Sequence, residues 1–234
     1  MPSFFLRPSQ CQPPLSAEPQ YSLKLVGTSQ IKIGGFSQAL KTDTAAMRRT
    51  KKRSIILNLF IIGIVPVASI TPEYPLFKQC DETWGSDLMV TKTICEVGCL
   101  MSSVSEGLGG YNISIEGSDA NPGTLNAWLR NNNGYDDSDD LYEAVVQEIN
   151  PDHIVWPDDG MHKTKDISFE TVGQYIRKGR VVISNVMNGS HFVLTIGQGS
   201  DGDTLYVHDS GFDRDSYSYT KDVVGFRIYD MSFP

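Results

Sequence analysis

Basic residues are scarce where the chain looks globular. The 234 residues hold 20 Lys and Arg against 28 Asp and Glu, yet residues 1–68 take nine of the basic and only two of the acidic side chains. The remainder has 11 basic and 26 acidic groups, a formal charge of −15. Such a surface repels a phosphate backbone, which argues against nucleic acid as a partner. Cysteine is sparse too, at four: Cys11, Cys80, Cys95 and Cys99. Cys95 and Cys99 stand four apart, but no paired spacing supplies the two or three further ligands of a zinc site. Neither a metal nor a cofactor is expected. The longest apolar stretch, Ile55 to Val65, falls short of the about 20 residues of a stable transmembrane helix, and no internal repeat is seen.

What is present divides into three parts. Residues 1–46 carry Pro13-Pro14 and scattered polar residues with no sustained period, and read as a disordered leader or an extension upstream of the true start. Residues 47–70 open on Met47 and five basic side chains (Arg48, Arg49, Lys51, Lys52, Arg53), continue through the apolar stretch and end on small residues at Ala68 and Ser69. That is the layout of a secretory signal peptide, or of a signal anchor if it stays uncleaved after initiation at Met1. Residues 71–234 form one domain with ample length for a core. It is expected to be secreted or lumenal, including lysosomal, to touch a membrane only through an uncleaved segment, and to be monomeric.

Within the domain the most informative residue is Cys99. Leu100, Val104 and Leu108 recur every four residues, with Met101 beside them, so an amphipathic helix starts at Cys99 and is expected to stop at Gly107, Gly109 and Gly110. Gly98 gives a tight entry. The sulfur then sits at the positive end of the helix dipole, where a thiol beside an imidazolium has its pKa lowered from about 8.5 to roughly 3.5–7.5. A small buried residue, or half of a disulfide, is the blander alternative. His191 opens the β-branched run His191-Phe192-Val193-Leu194-Thr195-Ile196 after the turn Asn188-Gly189-Ser190. A second run, Thr204 to Asp209, follows the turn-rich Gly199-Ser200-Asp201-Gly202-Asp203, and the two form a hairpin. Its return brings Asp209 level with His191, where it is expected to accept the Nδ1–H bond and fix the tautomer. Asp209 before Ser210-Gly211 is equally an ordinary turn residue.

Tyr74 to Gly85 with Gln79, Asp81 and Trp84, then Gly98-Cys99, Asn121 to Leu129, Ser190-His191-Phe192-Val193 and His208-Asp209-Ser210 together resemble the papain-fold cysteine peptidases related to the bacteriocin-processing, double-glycine peptidases. The resemblance spans Tyr74 to the C-terminus. It implies an oxyanion-hole donor at Gln79, the nucleophile at Cys99, and the rest of the triad at His191 and Asp209. The chain departs from many relatives at Leu100-Met101 and at Asp209-Ser210. A side-chain amide aimed at the developing oxyanion typically carries about 10²–10³ in rate. Trp84 reads as packing of the same loop. If Cys99 is the nucleophile, Cys80 and Cys95 are left for a disulfide, which suits an oxidising compartment.

Elsewhere, Asn121-Pro122 reads as a helix cap with Leu125, Trp128 and Leu129 inward. Further helices are expected over Leu141–Ile149 and Ser168–Lys178, and strands over Val181–Ser184 and Val223–Tyr229. Helices first and an antiparallel sheet later make an α+β, papain-like fold. Asp136, Asp137, Asp139 and Asp140 read as solvated charge, with calcium as the rival. Asn112 and Asn188 begin N-glycosylation sequons, and a glycan on Asn188 is expected to be absent or to point away from His191. The function expected is a thiol hydrolase acting on a peptide or protein substrate. The alternatives are an acyltransferase or transglutaminase-like enzyme, and an inactive binding module.

Overall fold

A computed structural model describes residues 72–234. The leader, the targeting segment and Cys11 lie outside the described residues. Helices lead and strands follow: α1 (Ile94–Val97), α2 (Cys99–Gly110), α3 (Pro122–Asn131), a 3-10 turn (Glu143–Ile149), β1 (Ile154–Val155), β2 (Met161–His162), α4 (Phe169–Arg177), β3 (Val181–Val186), a second 3-10 turn (Met187–Gly189), β4 (His191–Gln198), β5 (Thr204–His208), β6 (Ser216–Ser218) and β7 (Gly225–Met231). The strands form one antiparallel sheet in the order β1-β7-β3-β4-β5-β6, with β2 also paired to β7. Among the described residues no helix is long and apolar enough to cross a membrane.

Period-2 alternation splits the central strands between two cores. Ile183, Leu194 and Tyr229 face Val104, Leu108, Leu125 and Leu129 of α2 and α3. Their neighbours Val182, Val193 and Ile228 face Phe169 and Val172 of α4. Helix-bearing layers therefore cover both faces of β3, β4 and β7, whose inward residues are nearly all buried.

Local chemistry explains most helix ends. Asn121 caps α3, accepting the Thr124 N–H at 3.0 Å while the Thr124 hydroxyl accepts the Asn121 N–H at 3.0 Å, and Pro122 opens the first turn. Ser168 Oγ accepts the Thr171 N–H at the start of α4. Of the three glycines expected to stop α2, Gly110 is its last residue, and Gly107 and Gly109 lie within it. A Cβ on Gly107 would lie 2.9 Å from Val181 Cγ1, so this glycine allows close helix-to-sheet contact rather than ending the helix. The helix expected over Leu141–Ile149 is the 3-10 turn Glu143–Ile149, whose Val146 is buried and whose Glu143 pairs with Arg227 of β7. The last strand is displaced by two residues, to Gly225–Met231. α1, β1, β2 and β6 were not anticipated, since elements of two to four residues hold too little periodicity to read.

Candidate active site

The peptide Gly98-Cys99 sits at a junction of two helices. α1 is held by a reciprocal cap in which Thr93 Oγ1 accepts the Glu96 N–H and the Glu96 carboxylate accepts the Thr93 N–H at 2.8 Å. Gly98 ends α1 and caps α2, with φ −80° and ψ 15°. This backbone is open to any residue, but a Cβ there would fall 2.6 Å from the Ile94 carbonyl oxygen and 2.8 Å from Ile94 Cγ2. Close approach, not left-handed geometry, is what requires glycine. Cys99 is consequently the first residue of a 12-residue helix, at the positive end of its dipole, and is 1% exposed. It is disulfide-bonded in this structure, and no described cysteine is free. Thiol chemistry at Cys99 accordingly belongs to the reduced protein.

His191 is fully buried at the first position of β4, and its Nε2 lies 2.7 Å from Asp209 Oδ1. Pairing of Leu194 with His208 means that Asp209 follows on the same face as His191, two residues along rather than level with it. The ring consequently turns its Nε2, not the expected Nδ1, toward the carboxylate. Nδ1 is buried with no hydrogen-bond partner among the described residues. Phe212 stacks edge-on against the imidazole, with centroids 5.0 Å apart. Asp209 is held from several sides: Oδ1 also accepts the Gly211 and Phe212 N–H groups at 3.0 and 2.9 Å, and Oδ2 accepts the Tyr217 hydroxyl at 2.7 Å. Burial works to raise its pKa, but the bonds from His191, Phe212 and Tyr217 and the His191 charge outweigh it and hold the carboxyl below its ordinary range. His208 points to the other side of the strand, with Nδ1 3.3 Å from the Pro75 carbonyl.

Gln79 is fully buried on the segment before α1. Its backbone N–H donates to the Ser210 carbonyl at 2.9 Å, its Nε2 donates to the Cys95 carbonyl at 2.7 Å, and its Oε1 accepts from Ser210 Oγ at 3.4 Å. Cys80 and Cys95 form a disulfide, so a covalent bond and the amide of Gln79 both join this segment to α1, just ahead of Cys99. Lys78 donates through Nζ to the carbonyls of Asp209 and Phe212, and Trp84 Nε1 donates to the Lys78 carbonyl while its ring meets Phe77 edge-on. The segment carrying Gln79 is thus bonded to the loop that carries Asp209. A small cavity of about 30 Å³ has Cys99 in its wall, with Met89, Leu100, Met101, Leu141 and Phe192 around it.

Of the other predicted positions, Asp139 and Asp140 share the wall of the Cys99 cavity. Asn112 and Asn188 are both exposed, at φ 55° and 58°. Asp139 is buried rather than solvated: it accepts the N–H groups of Val90, Thr91 and Lys92 and the Thr91 hydroxyl, clasping that loop to its own. Among the described residues no group of three acidic, His or Cys side chains could hold a metal. Tyr217, Phe212 and Ser210 were not foreseen. Tyr217 has the one legible trace, an aromatic between polar residues on a short strand after Asp209, but nothing in the sequence says that its hydroxyl returns to the carboxylate.

The family model described as Peptidase_C39 like family matches residues 71–229. No curated protein and no solved structure matches the chain.

Proposed function

We propose that this chain, which belongs to the peptidase C39-like family, is a cysteine-dependent peptidase with Cys99 as nucleophile, His191 as base, Asp209 as orienter and Gln79 as oxyanion donor, on a papain-like arrangement of helices and sheet. One observation carries the reading. The His191–Asp209 bond occupies Nε2, which leaves Nδ1 as the nitrogen for proton exchange with a thiol on the helix that packs against β4.

In the reduced protein His191 Nδ1 takes the Cys99 proton, and the thiolate attacks the substrate carbonyl carbon. The carbonyl electron pair moves to oxygen, where the Cys99 backbone N–H and a Gln79 amide N–H stabilise it. Collapse breaks the C–N bond, and the amine leaves with the proton from Nδ1. Water then gives a proton to Nδ1 and its hydroxide adds to the thioester, releasing a carboxylic acid and restoring the thiol. Asp209 keeps its charge throughout and stabilises the imidazolium.

The substrate is a peptide or protein, and the acidic domain has no call for nucleic acid. The protein is secreted or lumenal, a reading supported by the targeting pattern of residues 47–70 and by the Cys80–Cys95 disulfide. Incubating the mildly reduced full chain with unfolded casein tests the activity: wild type yields fragments, and Cys99→Ala yields none while keeping its melting temperature. Fragments from Cys99→Ala would refute the proposal.

A further inference from the structure

Helix α2 carries, two turns beyond Cys99, a carboxyl group that the mechanism above does not use. Glu106 is fully buried. Its Oε1 accepts the Phe77 N–H at 3.0 Å, and its Oε2 is buried without a hydrogen-bond partner among the described residues. Burial pushes its pKa well up, the nearby Asp209 charge adds to that, and the Phe77 N–H and Lys78 only partly oppose it.

The Phe77 N–H is a strategic one. Phe77 stands two residues before Gln79, and the rest of this short segment is fastened elsewhere: the Lys78 carbonyl to Trp84, the Lys78 ammonium and the Gln79 N–H to the loop after β5. Glu106 supplies the side-chain bond from the helix that bears Cys99 itself. A surface-type residue in this position would leave a backbone donor without a partner, and the segment would be free to relax away from the helix.

We propose that Glu106 is a positioning residue that sets the distance between the Gln79 amide and the Cys99 sulfur by anchoring Phe77 to α2. This rests on the reading of Cys99 as nucleophile and Gln79 as oxyanion donor.

Two probes of the mildly reduced full chain separate the two claims. Iodoacetamide alkylates a thiolate by displacement and builds no oxyanion, whereas p-nitrophenyl acetate acylates it through a tetrahedral oxyanion. Glu106→Met keeps length and helix propensity but removes the acceptor. Its acylation rate at Cys99 should fall at least about tenfold, and by no more than the roughly 10²–10³ that complete loss of one oxyanion donor costs, with alkylation unchanged. Glu106→Gln retains an acceptor for Phe77, so its acylation and alkylation rates should both stay at the wild-type level. If the methionine variant does not fold, Glu106→Ala takes its place. Unchanged acylation in the variants lacking the acceptor, a parallel fall of both probes, or a glutamine variant as slow as methionine would overturn the inference. Wild type that reacts with neither probe at Cys99 would instead overturn the catalytic reading beneath it.

Discussion

Asp209 is the residue on which the site converges, because each of its oxygens has a defined partner. Removing the Tyr217 hydroxyl leaves Oδ2 of a buried carboxylate without its donor, so Tyr217→Phe should cost about 1–3 kcal/mol in urea unfolding and weaken the hold on His191. Gln79→Ala should lower acylation of Cys99 by about 10²–10³ while leaving alkylation by iodoacetamide untouched. Parallel loss of both reactions would show that Gln79 shapes the thiol rather than the oxyanion. At this scale the sequence was informative about residue identity and less so about orientation. His191 and Asp209 were legible because one opens a recognisable strand and the other directly follows one, but the choice of ring nitrogen depends on a two-residue offset in the hairpin, which strand patterns do not encode. Glu106 was invisible for a different reason: a glutamate in an amphipathic helix reads as a solvent-facing side chain, and only the course of the Phe77 segment over α2 makes it a buried one.

Among elements, the α1–α2 junction is the most tightly determined. Gly98 leaves no room for a methyl group against Ile94, so Gly98→Ala should destabilise the fold by about 1–3 kcal/mol, the usual cost of overpacking, and displace Cys99 from the start of α2. A denaturation midpoint equal to wild type would mean that the junction can relax. The sequence reading placed α2, α3, α4 and the β4–β5 hairpin because each has a cap, a clear period or a turn of glycine and aspartate at its end. α2 ends at the last of its three expected stop glycines, and Gly107 within it allows the close approach of Val181 even though its helix propensity is low. The clasp of Asp139 on residues 90–92 was hidden among neighbouring aspartates. Burial acts to raise its pKa, but bonds from Thr91 and the backbone N–H groups prevail and lower it.

For the molecule as a whole, two buried carboxyl groups give stability opposite pH dependences. Asp209 has a lowered folded-state pKa, so its contribution is present above the ordinary aspartate pKa of about 3.8 and is lost as pH falls through the lowered value. Glu106 has a raised one, so its contribution is complete below about 4.5 and is lost as pH rises toward the raised value. Glu106→Gln should therefore gain stability relative to wild type as pH rises above 4.5, and melting temperatures that stay parallel there would contradict the raised pKa of the buried carboxyl. The Cys80–Cys95 bond closes a loop of sequence separation 15, for which chain entropy predicts about 3 kcal/mol. Its double replacement by alanine should show that loss in urea. The mixed helix and antiparallel sheet was readable from the order of elements, and the family match over residues 71–229 agrees with the resemblance carried by the Gln79, Cys99, His191 and Asp209 segments. Short edge strands and the sheet order were not readable, because β7 pairs with β1, β2 and β3 across most of the domain's length.

Activation of the Cys99 thiol by His191 is the step on which the proposed peptidase activity depends. Its most direct test is the rate of iodoacetamide labelling at Cys99, mapped by mass spectrometry in the mildly reduced full chain at pH 5.5 and 7, for wild type and His191→Ala. An ordinary thiol with a pKa of about 8.5 is well under 1% ionised at the lower pH, whereas an ion-paired one is largely ionised. Labelling is expected to be selective for Cys99 at both pH values and to fall at least about tenfold at pH 5.5 without His191. Labelling that is confined to Cys80 or Cys95, or that is indifferent to His191, would contradict that activation.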